Sequence, residues 1–149
     1  MASVPVANHY PIALSVAPVA QVPDIVELDE VGRDELSVVL VDLFTRLDRL
    51  YDQPLPYMMW LNQRPTDGHD WPQAWLNVEI ISPWRAKGVP RFIAAAEVAT
   101  GEYFNPAVPE QVAQRLRELA SSASDSDDAS GSARTARVPS RVAQLPHVT

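Results

Sequence analysis

The residues of this sequence that could carry chemistry are few. The three histidines are His9, His69 and His147, and no two of them stand at the spacing of a metal-binding pair. A transition-metal site needs three or four converging ligands, usually histidine, cysteine or carboxylate. The sequence offers no obvious set of that kind, and it has no glycine-rich phosphate loop, nucleophile elbow or paired-carboxylate motif.

Polar residues within or beside apolar strands are the more informative candidates. Asn62 ends one predicted strand, and Asn77 and Glu79 lie two residues apart on the next. Side chains two apart on a strand point to the same face of the sheet. That face is either solvated or lines a site, and an ionised buried glutamate would there require a partner.

The elements that must position these residues are one long helix and several strands. Asp29 is a suitable N-cap, and apolar residues recur at three- and four-residue steps behind it, so a helix is predicted over roughly Glu30 to Tyr51. Pro109 is suited to the first position of a second, short helix that ends near Leu119. Strands are predicted over residues 10–16, 57–61, 75–81 and 91–98.

Length and composition indicate one folded domain with flexible ends. The chain has 149 residues, 46% of them hydrophobic, which suits a single modest core. Residues 1–8 are predicted to be a flexible start and residues 9–120 the domain. Residues 121–130 are only Ser, Ala and Asp, and residues 131–149 lack apolar periodicity, so 121–149 is predicted to be a disordered tail. The element order indicates an α+β fold with a mainly antiparallel sheet packed by the long helix and a short C-terminal helix.

Composition also excludes several classes of function. The absence of cysteine excludes disulfides, thiolate metal sites and a cysteine nucleophile. With a net charge of −7 and no basic stripe, the chain is not expected to bind nucleic acid. No apolar run approaches the roughly 20 residues of a membrane span, and no signal peptide is recognisable, so a cytoplasmic location is expected.

Three blocks of the sequence together resemble a known family. They run Pro-Tyr-Met-Met-Trp-Leu-Asn-Gln-Arg-Pro-Thr-Asp-Gly over residues 56–68, Trp-Leu-Asn-Val-Glu over 75–79 and Pro-Arg-Phe-Ile-Ala-Ala-Ala-Glu over 90–97. Their order and content resemble the C-terminal half of galactose-1-phosphate uridylyltransferases, which belong to the histidine-triad superfamily. The resemblance covers roughly residues 10–119 and implies a histidine-triad-like half domain.

The resemblance implies a nucleotidyltransferase of galactose metabolism that exchanges a uridylyl group between UDP-glucose and galactose 1-phosphate. The family forms a covalent uridylyl-histidine on a His-Pro-His motif in its N-terminal half, near a zinc site. This sequence contains no His-Pro-His, so no catalytic residue is assigned to it. No cofactor is expected in this chain, and zinc is expected in the missing N-terminal half.

Four positions match the family's second metal site but have lost ligands. Asn62, Trp75 and Asn77 stand where the family often has histidine, and Glu79 accompanies them. Asparagine is a poor transition-metal ligand and tryptophan is none, so a metal is not expected here.

The sequence matches the family's hexose-binding positions more closely than its second metal site. The residues that the resemblance implies bind substrate are Arg91, Phe92, Glu97, Asn105, Arg85 and Lys87. Arg91, Phe92 and Glu97 match a cation, an aromatic residue and the carboxylate that holds sugar hydroxyls, and Asn105 is matched to a downstream amide. Arg85 and Lys87 could meet phosphate. For Glu97 a second interpretation stays open, in which the carboxylate caps a neighbouring loop.

The function expected from the resemblance is the C-terminal half of a split uridylyltransferase. Its expected partners are a separate N-terminal half, a UDP-hexose and a hexose 1-phosphate, and oligomers are possible. The alternative is a degenerate, non-catalytic sugar-nucleotide binding or scaffold module, and a third is a remnant with no activity. An adjacent reading frame encoding the missing half would favour the first.

Overall fold

The computed structural model describes residues 1–127, for residues 121–127 as helical backbone alone. Its elements are β1 (Ala2–Ser3), β2 (Ile12–Val16), α1 (Glu30–Leu50), β3 (Met58–Asn62), β4 (Asn77–Ser82), β5 (Trp84–Ala86), β6 (Val89–Pro90), α2 (Ala95–Thr100) and α3 (Pro109–Asp127). The α+β class is therefore confirmed. Within the described residues, none of the helices is long and apolar enough to cross a membrane.

The main sheet has four strands in the order β1-β2-β4-β3, and every neighbouring pair is antiparallel. Strand β4 lies in the centre, with Leu14 opposite Ile80 on one side and Met59 opposite Ile80 on the other. This sheet confirms the predicted antiparallel arrangement. Strand β3 is an edge strand, and all five of its residues are exposed.

Helix α1 covers one face of the sheet. The Asp29 carboxylate accepts the backbone N–H of Gly32 at 2.7 Å, as expected of an N-cap. The apolar stripe of the helix packs on alternate residues of β2 and β4, and α3 adds Leu116 from the side. The buried core contains Ile12, Leu14, Val16, Leu43, Leu47, Leu50, Leu55, Val78, Ile80 and Leu116.

The strand predicted over residues 91–98 is wrong. The structure has an extended segment followed by helix α2, which begins at Ala95 and whose first turn contains Glu97. Alanine and glutamate have high helix propensity, and Gly101 at φ 73° supplies the left-handed residue that ends a helix. These local signals outweigh the apolar run from Phe92 to Ala96, which was the basis of the strand prediction.

The N-terminal start differs from the flexible segment predicted for residues 1–8. Ala2 pairs with Val16 and Ser3 with Ser15, and the Met1 ammonium donates to the Ala17 carbonyl at 2.7 Å. These backbone hydrogen bonds extend the sheet by one short strand. Two residues carry too little apolar alternation to be recognised as a strand from sequence.

Two further elements differ from their predicted extents. Residues 84–90, which lie between two of the predicted strands, form the hairpin β5–β6 with Gly88 at φ 66° in its turn. Helix α3 continues past Leu119 to Asp127, so the segment predicted to be disordered begins inside a helix. The remainder of that predicted tail, residues 128–149, lies outside the described residues.

Candidate functional site

A polar network crosses strands β3 and β4 on the face opposite α1. Asn62 and Asn77 are directly paired, and Asn62 Nδ2 donates to Asn77 Oδ1 at 2.6 Å and to Glu79 Oε1 at 3.0 Å. The alternation predicted from sequence thus brings these three side chains together. Trp60 lies opposite Glu79 in the register, so an exposed indole adjoins the network.

The side chains at the four positions matched to the family's second metal site do not form a set of metal ligands. Trp75 Nε1 donates to the Pro18 carbonyl at 3.2 Å, and an indole N–H has no lone pair for a metal. Asn62 and Asn77 are hydrogen-bonded to each other, so Glu79 is the one charged side chain of the network that could bind a metal. Among the described residues, no group of three or more His, Cys, Asp and Glu side chains converges on a point.

A second cluster is built around Glu97. The Arg91 guanidinium and the Glu97 carboxylate form an ion pair, with side-chain exposures of 9% and 4%. Glu97 also accepts the backbone N–H of Ala94 at 2.6 Å and that of Phe104 at 2.8 Å, and Arg91 donates to the Phe104 carbonyl at 2.9 Å. The pair therefore connects the segment before α2 and the first turn of α2 to the loop that follows the helix. We name this set, Arg91, Ala94, Glu97 and Phe104, the Glu97 clasp.

The clasp keeps Glu97 ionised. The N–H groups of Ala94 and Phe104, and then the Arg91 charge, hold the pKa of Glu97 below its ordinary value of 4.5, against the opposing effect of burial. Both carboxylate oxygens already accept hydrogen bonds. This geometry favours the interpretation in which Glu97 ties down the following loop.

Three other residues suggested by the resemblance are exposed and lie close in sequence to this clasp. Phe92 is 81% exposed, next to Arg91. Arg85 and Lys87 are exposed on the β5–β6 hairpin, which Arg91 reaches through its backbone N–H to the Pro83 carbonyl at 2.7 Å. Phe92, Arg85 and Lys87 are thus exposed side chains on the segments before and after Arg91.

Asn105 connects this segment to the N-terminal strand region. Its Nδ2 donates to Asn8 Oδ1 at 2.9 Å, and its Oδ1 accepts the Ala107 N–H at 3.0 Å. His9 packs edge-to-face on Tyr103 at 5.2 Å between ring centroids. The sequence did not indicate that Asn8 accepts this hydrogen bond, because no local pattern predicts a contact with a residue 97 positions away.

The comparisons with known proteins assign the fold and the family. A solved structure of a uridylyltransferase superposes with a TM-score of 0.71 over 81% of this chain and 38% of its own, at 24% identity. An ADP-glucose phosphorylase from Arabidopsis thaliana, solved with ADP-glucose bound, gives a TM-score of 0.65 at 23% identity, over 78% of this chain and 36% of its own. The fold is therefore that of the uridylyltransferase class.

The sequence comparisons name the family. The family described as galactose-1-phosphate uridyl transferase, C-terminal domain, matches residues 1–128. The galactose-1-phosphate uridylyltransferase of Thermotoga maritima is 31% identical over 119 residues, which are 79% of this chain and 37% of the relative. The chain belongs to the galactose-1-phosphate uridylyltransferase family and corresponds to its C-terminal domain. It spans about a third of the length of the curated relatives it matches.

Proposed function

We propose that this chain is the C-terminal half of a split galactose-1-phosphate uridylyltransferase and that it contributes to binding the hexose phosphate. In this proposal a separate N-terminal half supplies the His-Pro-His nucleophile and the zinc, because neither a nucleophilic histidine motif nor a fitting metal site is found in the residues described above. Transfer between UDP-glucose and galactose 1-phosphate then takes place in the two-chain complex.

The observation that carries the proposal is the open edge of the sheet at β3. Met58, Met59, Trp60 and Leu61 are 38–50% exposed along a strand that pairs with β4 on one side. Long, apolar edge strands without charges are sites of pairing with another chain. A strand of the N-terminal half added here would cover these side chains and continue the sheet.

The contribution to substrate binding is supported by the surface around the Glu97 clasp. Phe92 offers an exposed ring, and Arg85 and Lys87 have no hydrogen-bond or ion-pair partner among the described residues, so their charges are available to a phosphate. Arg91 and Glu97 hold the segment in place, and a ligand would have to displace one of their bonds to contact Glu97.

The alternative is a non-catalytic binding or scaffold module. The Asn62–Asn77–Glu79 network supports it, because these positions, which the resemblance matches to a metal site, hold side chains that hydrogen-bond to one another. In that case, the chain binds a sugar nucleotide or a partner and no second half restores transfer.

Reconstitution distinguishes the two. The chain is mixed with a separately expressed N-terminal two-thirds of the Thermotoga maritima relative and, where an adjacent gene encodes one, with its own N-terminal half. Complex formation and conversion of UDP-glucose plus galactose 1-phosphate to UDP-galactose are measured. Leu61→Lys at the β3 edge should abolish both, whereas Val41→Lys, at a 68% exposed position of α1, should leave them unchanged. A complex with the chain's own N-terminal half that transfers no uridylyl group would favour the scaffold alternative.

A further inference from the structure

An apolar groove with an acidic rim lies between the N-terminal half of α1 and the segment that follows β2. It has a volume of about 430 Å³, which is in the range of ligand-binding clefts. Its walls include Val16, Val22, Leu28, Leu36 and Val39. The groove shares no lining residue with β3 or with the Glu97 clasp.

Three carboxylates line the same groove. Glu27 is paired with Arg64 at 2.6 Å but remains 51% exposed, and Asp29 caps α1. Glu35 projects from the exposed face of α1 and has no hydrogen-bond or ion-pair partner among the described residues. The groove therefore suits an occupant that combines apolar side chains with positive charge.

The end of the chain has that composition. Residues 131–149 contain three arginines, Arg134, Arg137 and Arg141, and no acidic residue, whereas the 130 residues before them contain nine basic and 19 acidic residues. Val138, Val142 and Leu145 are interspersed with these arginines. Charge is thus strongly segregated between the body of the chain and its last segment, an asymmetry typical of a tail that interacts with an oppositely charged surface.

We propose that residues 131–149 dock into this groove of their own chain, with valine and leucine side chains on the apolar walls and arginines at the Glu27 and Glu35 rim. The segment is long enough to reach the groove. The 22 residues after Asp127 span up to about 75 Å when extended, and the whole of α1 is about 30 Å long. Because the segment is covalently attached, its effective concentration at the groove is high, so weak contacts suffice.

Disulfide trapping in the full-length chain tests the contact. The sequence has no cysteine, so an engineered pair contains the sole thiols. One variant combines Val31→Cys in the groove with Ala143→Cys, and the control combines Val41→Cys with Ala143→Cys. Val31 and Val41 are 64% and 68% exposed on the same helix, and Val41 lies outside the groove. The two positions are about 15 Å apart along α1.

Docking predicts that the intramolecular disulfide forms about tenfold faster in the Val31 pair than in the Val41 pair, which corresponds to a modest preference of the tail for the groove. Adding Arg137→Glu and Arg141→Glu, or raising the salt to about 1 M, should reduce the Val31 rate to that of the control. Circular dichroism verifies that each variant is folded.

Equal rates for the two pairs would overturn the proposal. So would covalent dimers at concentrations where monomers predominate, since the tail would then occupy a second copy. A faster Val31 pair that responds to neither salt nor charge reversal would also contradict it, because charge complementarity identifies this segment as the occupant.

Discussion

The carboxylate of Glu97 accepts the backbone N–H of Phe104 at 2.8 Å while it is ion-paired with Arg91. One buried acid therefore fixes the path of a loop seven residues further along the chain. The sequence resemblance predicts a sugar-binding role for Glu97, whereas this contact predicts that a substitution at Glu97 lowers the stability of the fold first.

We predict that Glu97→Gln lowers the melting temperature by several degrees, because the amide cannot accept all of these bonds and leaves Arg91 without its counter-charge. The exposed Glu102→Gln in the same segment is the matched control and should have little effect. Differential scanning calorimetry measures both. A Glu97→Gln protein that melts like the parent but loses hexose-phosphate affinity in the two-chain complex would contradict a structural role.

The stability supplied by Glu97 should depend on pH. Its pKa is lowered in the folded chain, so the contribution is fully present above the ordinary value of 4.5 and is lost as the pH falls through the folded pKa. The difference in melting temperature between the parent and Glu97→Gln should therefore be largest near neutrality and shrink below pH 4.5. A difference that stays constant down to acid unfolding would rule out this linkage.

Truncation of a buried side chain in the core should lower the free energy of unfolding, as in other close-packed interiors. Leu47 on α1 is 1% exposed and belongs to the main buried cluster. Leu47→Ala should cost about 2–5 kcal/mol of unfolding free energy, because a cavity is left behind. Val38→Ala on the exposed face of the same helix should change it by less than about 0.5 kcal/mol. Urea unfolding at a fixed temperature compares the two.

The purified chain should contain no stoichiometric zinc or iron. Asn62 and Asn77 bond to each other and Trp75 donates to a carbonyl, so Glu79 has no fellow ligand in the network. Elemental analysis after extensive dialysis is the measurement. About one tightly held metal per chain would contradict the prediction.

The chain by itself should transfer no uridylyl group. The sequence holds no His-Pro-His, and His9 packs against Tyr103 at a site remote in sequence from the β3–β4 network. Incubation with UDP-glucose and galactose 1-phosphate, followed by chromatography for UDP-galactose, tests this. Turnover by a homogeneous sample would contradict the prediction and would show that another side chain of this chain acts as the nucleophile.

Much of the fold could be predicted because its signals are local. The periodicity behind Asp29 predicted α1 almost to its last residue, and alternation placed Asn77 and Glu79 on one face of β4. Arg91 to Val98 was misassigned, because an apolar run of that length fits a strand or a helix. The partner of Asn105 could not be predicted, since Asn8 lies 97 positions away in the sequence. For Glu97 the sequence left a loop-capping role open, and its partners lie within seven residues along the chain.

The exposed β3 edge also gives the chain an optical property. Trp60 is 39% exposed on that strand, and a partner strand would cover its indole, while Trp84 lies partly buried on the β5–β6 hairpin beside Tyr51. The fluorescence of Trp60 should therefore shift to shorter wavelength when a partner strand covers the β3 edge. The half domain carries its own spectroscopic reporter of assembly, and a Trp60→Phe chain would supply the silent reference.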